Sequence, residues 1–238
     1  MLIVSRRTRA NAHGIARSLL GLALVAAPFA LQAPNANAQE GKPPQGPLGR
    51  QLDRVDFGII GIGSLTKSTT GPITVTTAPN YPSSLTLTPS NTVGVMLNVR
   101  YIAKPWVGFE FNYTYARYTE NYSYNPPGPI QANATEYSLG YVAHPQHVIA
   151  GVLHPFFGGG AGSTAFRPTV GGGQGLPVQA RATYYYNVGV EAPVGSHFGL
   201  RAQFRQAFFL APDFGQNYLT NLKRTDTIEP GAGFYLHF

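Results

Sequence analysis

Cysteine is absent from the 238 residues, which excludes disulfides and thiolate metal centres. Charge is scarce: only 11% of residues are Asp, Glu, Lys or Arg, less than half the usual share of about a quarter. Beyond the N-terminus no apolar run approaches the ~20 residues of a membrane helix. Basic clusters are missing too. The formal charge is +7, but Arg6, Arg7, Arg9 and Arg17 precede residue 38, where no acid occurs. The remainder holds 13 basic and 10 acidic residues, a balance of +3, so no nucleic-acid partner is expected. Glycine (28), tyrosine (14) and phenylalanine (14) are plentiful. Few charges, many aromatic rings and no long apolar run point to a barrel in lipid.

The N-terminus reads as an address. Four arginines precede an apolar stretch over 18–31, and Ala36-Asn37-Ala38 fits a small-x-small cleavage rule. Residues 1–38 are therefore predicted to be a signal peptide cleaved after Ala38. Residues 39–51, rich in Pro, Gly and Gln and without periodicity, are predicted to be a disordered lead-in. Residues 52–238 are predicted to form one barrel domain.

From Val55 the chain falls into segments near the ~10 residues of a tilted membrane strand. Eight are predicted: 55–65, 92–103, 107–118, 135–143, 148–161, 182–192, 198–210 and 225–238. Apolar and polar positions alternate in most of them. In the third, Val107, Phe109, Phe111, Tyr113 and Tyr115 oppose Gly108, Glu110, Asn112 and Thr114. The fifth, with Pro155 and many glycines, has no clear phase. Tight connections at Lys104-Pro105, 144–147 and 193–197 alternate with four long ones. An up-and-down outer-membrane barrel has this pattern, with short periplasmic turns and long outer loops. Two short alternating runs, 73–77 and 85–88, are predicted to extend the first long connection as a hairpin.

A soluble barrel with its apolar face inward is the competing picture. That face carries bulky Phe, Tyr, Leu and Val on nearly every strand, which would overfill an eight-stranded interior. The apolar face is therefore predicted to meet lipid. Tyr101, Trp106, Phe198 and Phe238 would form one aromatic girdle; Tyr113, Tyr115, Tyr118 and Tyr184 lie toward the other rim. The lumen then receives the charges. Counting from the tight turns sets Arg100 against Glu110 and Glu191 against Arg201. Arg205 faces Glu229 across the last hairpin, and Asp56 joins the lower layer. Buried charges persist only when paired, so this network is expected to plug the lumen. The alternative is a small gated pore in which the pairs exchange.

The last strand sets Phe234, Leu236 and Phe238 on its apolar face. Signal peptide, eight alternating strands, three tight turns, four long loops and the ending Gly231-Ala-Gly-Phe-Tyr-Leu-His-Phe238 resemble the small outer-membrane β-barrel family. Its members include the membrane domain of OmpA, OmpX and the opacity-type proteins. The resemblance implies a location in the Gram-negative outer membrane, among lipid and lipopolysaccharide. It also implies that Phe234, Leu236 and Phe238 are a signal to the barrel-assembly machinery, reached with periplasmic chaperones. It leaves open an extracellular ligand held by the loops, and a monomer suffices. Envelope integrity and loop-mediated binding or adhesion are the roles expected.

Some barrels of this size that the chain resembles are lipid A-modifying enzymes using His, Ser and acidic residues near the outer rim. Here Ser196-His197 lie on a tight turn on the opposite side, and His154 has no evident Ser and acid beside it. No catalytic residue is assigned and no enzyme is expected. His144 and His147 bracket a turn, but two histidines without a third ligand do not make a metal site. The glycine runs 158–162 and 171–175 lack the Lys-Ser/Thr of a nucleotide loop. No cofactor or metal is expected.

Overall fold

The computed structural model describes residues 46–73, 82–123, 128–214 and 222–238. The predicted signal peptide, 1–38, lies outside them, as does residues 39–45 of the lead-in. The rest of that lead-in carries a short helix, α1 (Pro47–Leu52), with proline in its first turn. Ten strands follow: β1 (Val55–Thr66), β2 (Thr69–Pro72), β3 (Ser84–Pro89), β4 (Thr92–Lys104), β5 (Val107–Tyr122), β6 (Ile130–Ala143), β7 (His154–Pro168), β8 (Gln179–Pro193), β9 (Phe198–Leu210) and β10 (Arg224–His237).

Eight of these, β1 and β4 to β10, close into an antiparallel barrel. Each pairs with its neighbour in the chain, β1 pairs with β10, and β5–β6 completes the ring. Closure leaves no unpaired edge in the wall, which a lipid environment requires. β2 and β3 form a hairpin that joins the ring where Pro89, Thr88 and Leu87 pair with Glu120, Asn121 and Tyr122, and where Thr86 bonds Ser123. The first run of that hairpin was expected at 73–77. The hairpin's first strand begins earlier, at Thr69–Pro72; Ile73 continues it, its N donating to Ser83 O at 3.2 Å, and residues 74–77 lie outside the described residues.

The faces divide by residue parity. Val95, Phe109, Phe111, Leu139, Val188 and Leu200 stand exposed on the outer wall, Leu139 at 67%. Asn98, Arg100, Glu110, Asn112, Glu136 and Asn187 are buried in the lumen. A soluble protein would bury the first set; an exposed band of this kind needs lipid against it.

Several boundaries differ from the sequence reading. The fifth barrel strand starts at His154, not residue 148. Residues 149–153 fold back on themselves, with Ile149 N donating to Leu153 O at 2.8 Å. Ala150 and Gly151 adopt φ of 52° and 72°, which no strand contains. The phase that proline and glycine obscured is now defined: Phe156, Thr164 and Phe166 point inward and Phe157 outward. β5 and β6 also run past their expected ends, pairing through Glu120 and Ile130. The polar letters Thr119 to Asn121 looked like loop, yet the pairing buries Ile130 and Ala132. With 16 residues, β5 exceeds the ~10 needed to cross lipid, so its end beside β3 stands above the membrane.

Candidate functional site

The lumen is filled, and its filling is layered. Nearest the tight turns, Arg100 and Arg201 are buried among Glu110, Glu191 and Asp56. Arg100 faces Glu110 in register, with Nε donating to Oε2 at 3.1 Å. Arg201 faces Glu191, with Nε donating to Oε1 at 2.9 Å. A bond also crosses the interior: Arg100 Nη1 donates to Glu191 Oε1 at 2.5 Å. Asp56 lies 3.9 Å from Arg201 and 2.6 Å from His237 Nδ1.

One layer higher, Arg205 donates to Glu229 Oε2 at 2.5 Å, its register partner, and to Glu136 of β6. Each guanidinium also lies on an aromatic ring: Arg100 on Phe156 at 4.1 Å, Arg201 on Tyr235 at 4.9 Å, Arg205 on Tyr185 at 4.4 Å. Such stacking offsets part of the desolvation of a buried cation. Asn187 and Tyr185 donate to Glu110 Oε1, each at 2.9 Å.

Sequence reasoning set Glu136, Tyr235 and the asparagines on the polar face without assigning them partners, and did not single out Phe156 or Tyr185. Parity was the available signal. Tyr185 stands between Thr183 and Asn187 on the inward face, although it sits among three consecutive tyrosines. Nor is the lumen polar throughout. Ile60, Ile62 and Met96 form an apolar patch on β1 and β4. Toward the long connections Ile130, Ala132, Phe166, Phe209 and Phe214 make a larger cap. Tyr118, expected at the outer girdle, points inward and meets Phe166 edge-on at 6.1 Å between centroids. Its even number puts it on the same face as Glu110 and Thr114, which the aromatic side chain obscured.

The remaining predicted positions lie on the outer wall. Trp106 is exposed on the first tight turn, with the Lys104 ammonium 5.7 Å from its ring. Tyr101 donates to Gln51 Oε1 at 2.7 Å. Tyr113 packs on Tyr137 at 5.1 Å, and Tyr115 is exposed. Phe198 stacks on Phe234 at 5.9 Å, with Leu236 and Phe238 also exposed.

Below the lower layer opens a vestibule of about 530 Å³, bordered by Asp56, His144, Glu191 and His237. His144 lies 3.9 Å from Glu191. Burial pushes its imidazole below the usual range and outweighs the pull of Glu191; Arg100 and Arg201 push the same way as burial. His197 directs Nδ1 to the backbone carbonyl of His237 at 3.1 Å.

The model of a family described as outer membrane protein beta-barrel domain matches residues 21–228. A search of curated proteins by sequence found no match. Among solved structures, the outer membrane protein OprG of Pseudomonas aeruginosa is 13% identical. The match covers 77% of this chain and 95% of OprG, with a TM-score of 0.53. Neisserial surface protein A is 16% identical over 76% of this chain and 97% of its own, at a TM-score of 0.46. At such identity the likeness to OprG is one of fold.

Proposed function

The chain belongs to the outer membrane protein beta-barrel domain family and is a protein of the bacterial outer membrane; from that premise we propose that its role is structural and interactive, a plugged barrel that holds its outer connections at the cell surface. Lipid and lipopolysaccharide surround the wall, the barrel-assembly machinery and periplasmic chaperones act during biogenesis, and an extracellular ligand meets the loops. A monomer suffices for all of this.

The observation that carries the reading is the closure of the lumen. Arg100, Arg201 and Arg205 are at most 1% exposed, and each is held by carboxylates from the surrounding strands. A lumen so filled leaves little room for solute. Val170 at 85% and Val178 at 51% are exposed on the connection between β7 and β8, which suits contact with a partner. The catalytic reading has little behind it: His197 is engaged with backbone, and Ser196 sits on the same periplasmic turn.

A small gated pore is the second reading. It is favoured by open space on both sides of the charged layers, the vestibule below and a cavity of about 40 Å³ above. Planar-bilayer recording separates the two. Absence of discrete currents from the wild type and from Arg205→Ala supports the plugged scaffold. Currents altered by Arg205→Ala or Glu229→Ala would establish the pore. Deleting the outer connections one at a time should then alter surface binding while leaving envelope leakiness unchanged.

A further inference from the structure

Above the Arg205 layer the cavity of about 40 Å³ is walled by Tyr118, Phe166 and Phe209. Four polar atoms on its lining are buried without a hydrogen-bond partner: Thr114 Oγ1, Tyr118 Oη and both carboxylate oxygens of Glu120. Glu120 is fully buried, on the part of β5 that pairs with Pro89 above the membrane. Burial pushes its carboxyl up to about 8, with no neighbouring cation to oppose the effect.

The charge around the cavity is unbalanced. Glu120, Glu136 and Glu229 all line it, no described Lys or Arg does, and Arg205 is already shared by the last two. The segments 74–81, 124–127 and 215–221 contain neither Lys nor Arg, so by composition they bring no counter-charge. Water would satisfy a protonated Glu120, since a polar site this size holds two or three molecules at roughly 10–15 Å³ each. An ionised Glu120 requires a positive partner.

The lining identifies the kind of cation. A calcium ion takes about six to eight oxygen ligands. Among the described residues no three His, Asp or Glu side chains are placed to hold a metal. One carboxylate amid aromatic rings suits an ammonium group, through ion pairing and cation–π attraction. The Phe166 and Phe209 rings lie 5.2 Å apart. The free oxygen of Tyr118, two residues from Glu120 on the same face of β5, can accept an N–H group that Glu120 leaves over.

We infer that this cavity binds the primary-ammonium end of a small organic cation arriving from the outer side, with Glu120 as its counter-ion and Tyr118, Phe166 and Phe209 around it. The site goes beyond the scaffold role and does not depend on whether the lumen conducts.

The test is a calorimetric titration of the refolded mature protein in detergent micelles with methylammonium chloride, at about pH 9, where the amine is still charged. Sodium and potassium chloride serve as parallel arms. Saturable binding of methylammonium is expected, weakened at least about ten-fold by Glu120→Gln, the loss of one charge-assisted contact. Tyr118→Phe, which keeps the ring, is expected to weaken it about three-fold. Heat-modifiable gel migration checks that both variants fold. No saturation in the wild type, unchanged binding in folded Glu120→Gln, or equal affinity for sodium or potassium would overturn the assignment.

Discussion

Arg100 on β4 and Glu191 on β8 meet at 2.5 Å although three strands of the wall, β1, β10 and β9, stand between them. The bond is a strut across the interior. It joins two in-wall pairs, Arg100–Glu110 and Arg201–Glu191, into a single layer.

Removing Arg100 leaves Glu191 with Arg201 but strips the buried Glu110 of its guanidinium, with the neutral donors Tyr185 and Asn187 in its place. Arg100→Ala is therefore expected to cost roughly 3–5 kcal/mol, the usual loss for a broken buried pair. Urea unfolding in micelles, followed by gel migration, measures it. The double variant Arg100→Met with Glu191→Leu should cost less than the two single changes added together.

The outer wall responds in the opposite sense to charge. Leu139 is 67% exposed on β6, four residues above its lower end. Leu139→Arg is expected to destabilise the barrel by about 2–4 kcal/mol in bilayers, as a charge near the lipid midplane does. Arginine at the soluble tip, Val170→Arg, should change stability by less than about 0.5 kcal/mol.

Close packing inside the lumen sets a steric limit. A Cβ at Gly199 would run into the ring of Tyr235 on β10, the ring that carries Arg201. Gly199→Val is expected to cost about 1–3 kcal/mol by overpacking. Pairing it with Tyr235→Leu should recover part of that loss in the same unfolding assay.

Protonation of the vestibule gives a pH dependence. His144 has its pKa lowered in the fold, first by burial. The unfolded chain therefore takes up this proton first as pH falls. Stability from the neutral imidazole is full above about 6.5 and is lost progressively below it. His144→Asn should flatten the wild-type slope in that window, read as unfolding midpoint against pH.

The fold was legible because a wall with lipid outside and charges inside forces strict alternation, as in residues 107–115. Legibility failed where the pattern was interrupted for local reasons. Residues 148–153 have strand-like composition but close a turn through Ala150 and Gly151 at positive φ. Within the site, counting from a tight turn reaches only residues in the same hairpin. It can relate Arg100 to Glu110 and Glu191 to Arg201; it cannot relate Arg205 to Glu136 or Arg100 to Glu191, which depend on how the ring closes. Inward aromatics such as Phe156, Tyr185 and Tyr118 were hidden by the assumption that large rings face lipid. In this lumen they support guanidinium groups or cap the outer end.

The orientation of the wall is tested most directly on β6, because a chain without cysteine accepts single thiols cleanly. Nitroxide labels at Tyr137→Cys, Leu139→Cys and Tyr141→Cys, in bilayers, should collide freely with dissolved oxygen and little with an aqueous nickel complex. Labels directed to Ser138→Cys and Val142→Cys should be poorly reactive or shielded from both. Oxygen accessibility peaking at 138 and 142, with 137, 139 and 141 shielded, would contradict a barrel whose apolar face meets lipid.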